Sequence, residues 1–272
     1  MNISFIGGGN MARAIIKGLN NNGFAMSAIT VLELDASKRT ELAAEFQLQV
    51  TDSYADLVNT DVIILAVKPQ QLQAVCSQLS HVLQSQLVIS IAAGVRTIDI
   101  TRWLNAYSAI VRVMPNTPAQ IQAGVSALYA QTAVSALQRE QANTILAAVG
   151  QTLWLQDETK MDAVTAISGS GPAYVFYLIE ALEAAAVALG LKPEEARLLA
   201  IQTFAGASLL AVDSTDDIKT LRAQVTSKGG TTEQGLLALE AANIKQAMLQ
   251  AAQAAAAKSV QLGDQLGAQS AA

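Results

Sequence analysis

Apolar and polar positions fall into two regimes along this chain. Up to residue 156, short apolar runs alternate with longer stretches whose apolar positions recur every three or four residues. The runs predict strands at 3–6, 29–33, 47–51, 62–67, 87–91 and 110–114, with shorter ones at 127–129 and 152–155. Between them the spacing predicts helices at 11–21, 36–46, 69–83, 97–104 and 134–149, and a short helical piece beginning near Ser53. Runs such as Val62-Ile63-Ile64-Leu65-Ala66-Val67 are apolar at every position rather than at alternate ones. A strand of that kind is buried on both faces, as in a parallel sheet covered by helices.

Beyond Gln156 no convincing strand follows. The pattern is helical at 161–167, 172–189, 193–213, 218–225, 231–241 and 244–266. The expected organisation is an α/β domain over 1–156 with a parallel sheet, then an all-helical domain over 157–272. The later helices are rich in alanine, at 184–186 and 254–257, and small side chains let helices approach closely. Apolar residues on several faces of these helices predict burial against a second subunit. The small, polar tail at 265–272 is expected to fray.

Composition narrows the function. With 51% hydrophobic and 14% charged residues and a mean hydropathy of +0.33, the chain can bury a large core and an interface besides. A net charge of −5 and an isoelectric point near 4.9 leave no basic footprint for nucleic acid. The chain enters a strand at once, without a charged n-region and cleavage site, so no signal peptide is expected and the protein is placed in the cytoplasm. The best candidate for a membrane span, the uncharged stretch 163–179, is interrupted by Ser168-Gly169-Ser170-Gly171-Pro172, which is expected to leave pieces too short to span a bilayer. Cys76 and His81 are the only residues of their types. They read as a packing thiol and a solvated helix-end imidazole. An internal disulfide, a cysteine–histidine metal cluster and a Ser–His nucleophile pair are thereby excluded or hard to build, and no metal site is expected.

The chemistry lies in the turns. The first strand ends in Ile6-Gly7-Gly8-Gly9-Asn10-Met11-Ala12, and a helix follows directly. Gly7 permits a tight turn, Gly9 lets a pyrophosphate approach the backbone, and Ala12 lets helix and strand pack closely; the helix N-terminus faces the phosphates. This is the dinucleotide-binding pattern of a Rossmann domain. Glu33, about twenty residues on, ends the second strand, where an acidic group accepts hydrogen bonds from ribose hydroxyls and favours NAD. Lys38 and Arg39 lie close by and suit a 2′-phosphate instead, so NADH and NADPH both stay open. Ala66-Val67-Lys68-Pro69 closes the fourth strand, at the sheet edge where ligands of open α/β sheets bind. Ser53, after the third strand, and Asn116, in the stiff loop Met114-Pro115-Asn116-Thr117-Pro118, belong to the same edge. Asn116 reads either as a nicotinamide-pocket residue or as part of a structural crossover. In the helical half, Val225-Thr226-Ser227-Lys228-Gly229-Gly230-Thr231-Thr232-Glu233 sets hydroxyls and two glycines before a helix. Ser227, Thr231 and Thr232 can cap that helix, and the N–H groups around Gly229 and Gly230 can hold a small carboxylate.

Six motifs occur together in one order: the glycine loop, Ala66-Val67-Lys68-Pro69, Ser90-Ile91-Ala92-Ala93-Gly94-Val95, Met114-Pro115-Asn116-Thr117-Pro118, Ser168-Gly169-Ser170-Gly171-Pro172-Ala173-Tyr174 and Gly229-Gly230-Thr231-Thr232. Over nearly its whole length the chain resembles the pyrroline-5-carboxylate reductase family. The resemblance implies a Rossmann domain followed by a 6-phosphogluconate-dehydrogenase-like helical domain that interlocks with a partner's. It implies a homodimer, sometimes built into larger rings such as a decamer. It implies NAD(P)H-dependent reduction of 1-pyrroline-5-carboxylate to L-proline, with NADPH the usual donor. On the matching positions it implies coenzyme contacts at Ile6, Gly7, Gly8, Gly9, Asn10, Met11, Glu33, Ser53, Ala66, Val67, Lys68, Pro69 and Asn116. It implies carboxylate binding by Val225, Ser227, Gly229, Gly230, Thr231 and Thr232, with Thr232 near the ring nitrogen as the catalytic hydroxyl. Two positions depart from the family: Lys228 stands where a proline is common, and Leu34 where an arginine is common. Two alternatives are a β-hydroxyacid-dehydrogenase-like enzyme, whose chemistry would need a positioned lysine such as Lys228, and a non-catalytic dinucleotide-binding dimer.

Overall fold

The structure, a computed structural model, describes residues 1–268. Its strands are β1 Ile3–Ile6, β2 Ile29–Leu32, β3 Gln49–Thr51, β4 Val62–Leu65, β5 Leu87–Ser90, β6 Ile110–Met114, β7 Gly124–Ala130 and β8 Gly150–Leu155. They form one sheet in the order β3-β2-β1-β4-β5-β6-β7-β8. The helices of this half are α1 Asn10–Asn21, α2 Ala36–Phe46, α3 Leu72–Leu79, α4 Thr97–Trp103 and α5 Ala136–Ala147.

The all-apolar strands have a direct consequence. Successive side chains point to opposite faces, so each strand feeds two cores. Ile3, Phe5, Val62, Ile64, Leu87 and Ile89 pack with Ile15, Ile16 and Leu19 of α1. Ile6, Ile63, Leu65 and Val88 pack on the other face with Leu72, Cys76 and Leu79 of α3 and Ile100 and Trp103 of α4. Each such side chain contributes about 1.5–3 kcal/mol relative to exposure. A one-residue slip would exchange the two sets.

The sheet is not parallel throughout: β6 and β7 pair antiparallel. The connection between them is a single 3₁₀ turn, Thr117–Ile121, closed by Gln122 at φ 60°. A parallel return needs a crossover of a dozen or more residues, and this one is too short. After the α5 crossover, β8 pairs parallel to β7. Two boundaries also move. Gln47 adopts φ 55°, which delays β3 to Gln49. The helix expected at 69–83 is a 3₁₀ turn, Pro69–Gln71, followed by α3, which ends at Leu79.

The remaining helices are α6 Met161–Val164, α7 Gly171–Ala188, α8 Pro193–Asp213, α9 Ile218–Gln224, α10 Thr231–Ala241 and α11 Ile244–Ala268. Contacts divide the chain into two compact units. One is Met1–Ser170 together with the stretch from Ala254 onward; the other is Gly171–Gln253. In the second unit α7 packs on α8. Yet α7 buries no residue, and α8 buries only Ala196 and Ala200.

Ser168–Pro172 does not interrupt the helix. A π-turn at Thr165–Gly169, in which Ser170 N–H reaches the Thr165 carbonyl at 2.8 Å, absorbs it. The helical run Glu158–Ala188 and α8 are both long and apolar enough to cross a membrane. Of the tail expected to fray, 265–268 form the last turn of α11 with Leu266 buried; 269–272 lie outside the described residues.

Candidate dinucleotide pocket and carboxylate loop

A pocket of about 430 Å³ opens at the carboxyl ends of β1, β2 and β4, where the strand order reverses. Its size and place are those of a ligand site in an open α/β sheet. Gly7 makes the turn at φ +97°, and a Cβ there would stand 2.9 Å from the Ala66 carbonyl oxygen of the neighbouring loop. A Cβ on Gly9 would meet nothing within 4 Å, so the space before α1 is open. No side chain caps α1 and its first turn holds no acid, which leaves its N–H groups for an anion. These features fit the pyrophosphate of a dinucleotide.

The β2 end is more organised than its sequence suggests. The Glu33 carboxylate accepts Gly8 N–H and Asp35 N–H, both at 3.2 Å, which holds it at the pocket wall. Asp35 caps α2; the Ser37 hydroxyl and the Lys38 and Ser37 N–H groups hold its carboxyl below the usual range. The two neighbouring cations separate in role. Arg39 is committed to the Glu33 and Leu34 carbonyls, at 2.7 and 3.0 Å, and to Asp52 at 2.9 Å. Lys38 lines the pocket and makes no ion pair among the described residues.

Ile6, Gly7, Gly8, Gly9, Glu33, Ala66, Val67 and Lys68 all line this pocket; Asn10, Met11, Ser53, Pro69 and Asn116 are not among its lining residues. Ser53 instead caps the turn Tyr54–Leu57, accepting Ala55 N–H. The Asn116 amide oxygen accepts Val125 N–H at 2.9 Å, which ties the β6–β7 connection. Tyr54, Gln71 and Val75 also line the pocket, outside the sequence motifs that point to it. The signal for Tyr54 was an aromatic residue directly after the β3 edge. Burial pushes its hydroxyl pKa up. The Ser168–Pro172 motif serves packing: the Met114 methyl lies where a Cβ of Gly169 would stand.

In the second unit, the hydroxyl loop does not cap its helix. The N-cap of α10 is Gly230, with no side-chain cap. Gly229 turns at φ +74° and gives its N–H to the Glu233 carboxylate at 2.7 Å, and Gly230 N–H goes to the Ser227 carbonyl. The hydroxyl groups of Ser227, Thr231 and Thr232 are uncommitted among the described residues, as are the N–H groups of Thr231 and Thr232. Free hydroxyls and free N–H groups at a helix N-terminus form a site for a small carboxylate.

Two family models match the chain: one described as pyrroline-5-carboxylate reductase dimerisation over residues 158–262, and one described as NADP oxidoreductase, coenzyme F420-dependent, over residues 2–94. The chain is 45% identical to the pyrroline-5-carboxylate reductase of Pseudomonas aeruginosa, with 97% of this chain and 98% of that protein covered. It superposes on a pyrroline-5-carboxylate reductase structure from Coxiella burnetii with a TM-score of 0.92 and 42% identity, covering 96% and 98% of the two chains. A Plasmodium falciparum pyrroline carboxylate reductase with NADP bound matches with a TM-score of 0.85 and 30% identity, over 97% and 98%.

Proposed function

The chain belongs to the pyrroline-5-carboxylate reductase family, and from that premise we infer its reaction: reduction of 1-pyrroline-5-carboxylate to L-proline by a nicotinamide dinucleotide, the last step of proline biosynthesis. The likeness over the whole length carries this conclusion. The two alternatives weighed on the sequence lose their footing with it.

When bound, a nicotinamide coenzyme would supply the hydride that reduces C5 of the cyclic imine. The glycine turn and the free start of α1 bind its pyrophosphate, and Glu33 and Lys38 meet the adenosine ribose. Glu33 accepts hydrogen bonds from an unphosphorylated ribose and Lys38 faces a 2′-phosphate, so this pair sets the balance between NADH and NADPH. Ser227, Thr231 and Thr232 hold the substrate carboxylate on their free hydroxyl and N–H groups, while Val225, Gly229 and Gly230, whose N–H groups are already committed, shape the loop around it. Thr232 orients the ring nitrogen. A protonated imine is already a strong electrophile, so positioning supplies several kcal/mol without a dedicated acid. Hydride addition to the protonated imine gives the neutral amine, so the step itself needs no further proton.

We assign 1–156 to coenzyme binding and 157–272 to dimerisation and substrate binding in a cytoplasmic homodimer, with larger rings such as a decamer built from it. The apolar faces of α7 and α8 are covered by a second copy rather than by lipid. Glu180 and Glu183 in α7 and Glu194, Glu195 and Arg197 in α8 would be expensive in a bilayer.

The test follows NADPH and NADH oxidation with pyrroline-5-carboxylate. Turnover with at least one is expected, and turnover with neither overturns the reading. Thr232→Ala is expected to lose far more in kcat than in coenzyme affinity; unchanged turnover would remove Thr232 from its role.

A further inference from the structure

We infer that α11 positions the nicotinamide half of the coenzyme by clamping the loop at 91–96, and that Gly263 is the positioning residue on which the clamp depends. The inference rests on the dinucleotide reading of the pocket. Glu33 puts the adenosine half on the β2 side of the point where the strand order reverses. The other half therefore extends over β4 and β5. Those strands run parallel about 5 Å apart, in a register that pairs Leu65 with Ser90. The pocket-lining residues 66–68 follow β4, and residues 91–96 follow β5 at the same edge. Ile91 N–H donates to the Leu65 carbonyl at 3.3 Å, so the two loops leave the sheet side by side.

What holds the second loop is the last part of α11. Gly94, at φ +79°, lies under it: a Cβ there would stand 3.6 Å from Leu262 Cβ and 3.7 Å from Gly263 N. A Cβ on Gly263 would come 2.8 Å from the Gly94 carbonyl oxygen and 3.5 Å from the Arg96 guanidinium. Arg96 pairs with Asp264 at 2.7 Å. Arg102 donates to the Gly267 carbonyl at 2.8 Å. The Ser259 hydroxyl donates to Asp162 at 2.6 Å, and Leu266 enters the core with α3 and α4. Positions 259, 263, 266 and 267 share one face of the helix. Nothing in the proposed chemistry otherwise needs these contacts. A methyl group at 263 must push the Gly94 carbonyl away, and the displacement falls on the nicotinamide side, leaving Glu33 and the glycine turn in place.

The experiment compares two probes by calorimetry: NADH, which spans both halves, and ADP, which carries only the adenosine half. Gly263→Ala is expected to weaken NADH binding about tenfold, with kcat falling as well and ADP binding unchanged. Equal loss for both probes, or no loss for either, overturns the inference. Should Gly263→Ala fail to fold, Arg96→Asp, Asp264→Arg and their combination replace it. Each single change is expected to weaken NADH selectively and the exchange to restore it; an unaltered NADH-to-ADP ratio in the single variants overturns the clamp. Where the wild type binds NADPH rather than NADH, NADPH and 2′-phospho-ADP replace the two probes; wild-type protein that bound neither NADH nor NADPH would overturn the dinucleotide reading instead, so the two failures are distinguishable.

Discussion

Glu33 and Lys38 concentrate the coenzyme choice in two side chains. A carboxylate within a few ångströms of a 2′-phosphate costs about 1–2 kcal/mol at a partly solvated site. Glu33→Gln is therefore expected to raise the ratio of NADPH to NADH kcat/KM about tenfold; an unmoved ratio would take Glu33 out of coenzyme selection. Arg39 could not be separated from Lys38 in the sequence, because both follow the same acidic turn. Only the fold shows that Arg39 is spent on backbone carbonyls and Asp52. Cys76 is a residue whose reading needed no fold. Burial pushes its thiol up to about 12, so the folded chain keeps its proton where an unfolded chain would lose it. Folding stability should fall as pH climbs above the ordinary thiol range. Native protein at mildly alkaline pH is expected to leave Cys76 unmodified by a thiol reagent that labels it fully after denaturation.

At the scale of elements, the segment after β8 is anchored by one carboxylate. Glu158 accepts Thr97 N–H at 2.8 Å and the Thr97 hydroxyl at 2.6 Å, and pairs with the buried Arg112 at 3.0 Å. This joins the start of α4 to β6 and to the entry of α6. Glu158→Ala leaves a buried guanidinium unpaired and is expected to cost about 2–3 kcal/mol, read as a fall in the chemical denaturation midpoint. Glu158→Gln, which keeps two hydrogen bonds, should lose less. The sequence could not announce this, since the partners lie at positions 97, 112 and 158. Strands β1, β4 and β5 were legible because burial on both faces writes itself as an unbroken apolar run. The antiparallel turn into β7 was not, because the direction of a strand is decided by the length and path of its connection.

For the whole molecule, the exposed apolar helices are the decisive feature. Phe176 and Tyr177 of α7 are 66% and 71% exposed, and Leu209 of α8 is 69% exposed. A single chain leaves these faces in water, at a cost that a second copy removes. Phe176→Glu combined with Leu209→Glu is expected to shift the protein from dimer or larger assembly to monomer by light scattering, with loss of turnover. A variant that kept its full mass would place the interface elsewhere. The alanine-rich pattern gave this expectation early, because helices apolar on several faces need more partners than their own unit provides.

The glycine turn, the continuous strands and the order of the motifs are local, and residue type alone determines them: a φ of +97° or a two-faced strand is encoded where it occurs. The tertiary structure decided whatever depends on residues far apart in the chain. It sent Asn116 to Val125 and Glu33 to the glycine loop, brought Tyr54 into the pocket, and laid α11 across the loop after β5. Each of these is a competition between partners for one hydrogen bond or one surface, and the winner is fixed by proximity that only the folded chain creates.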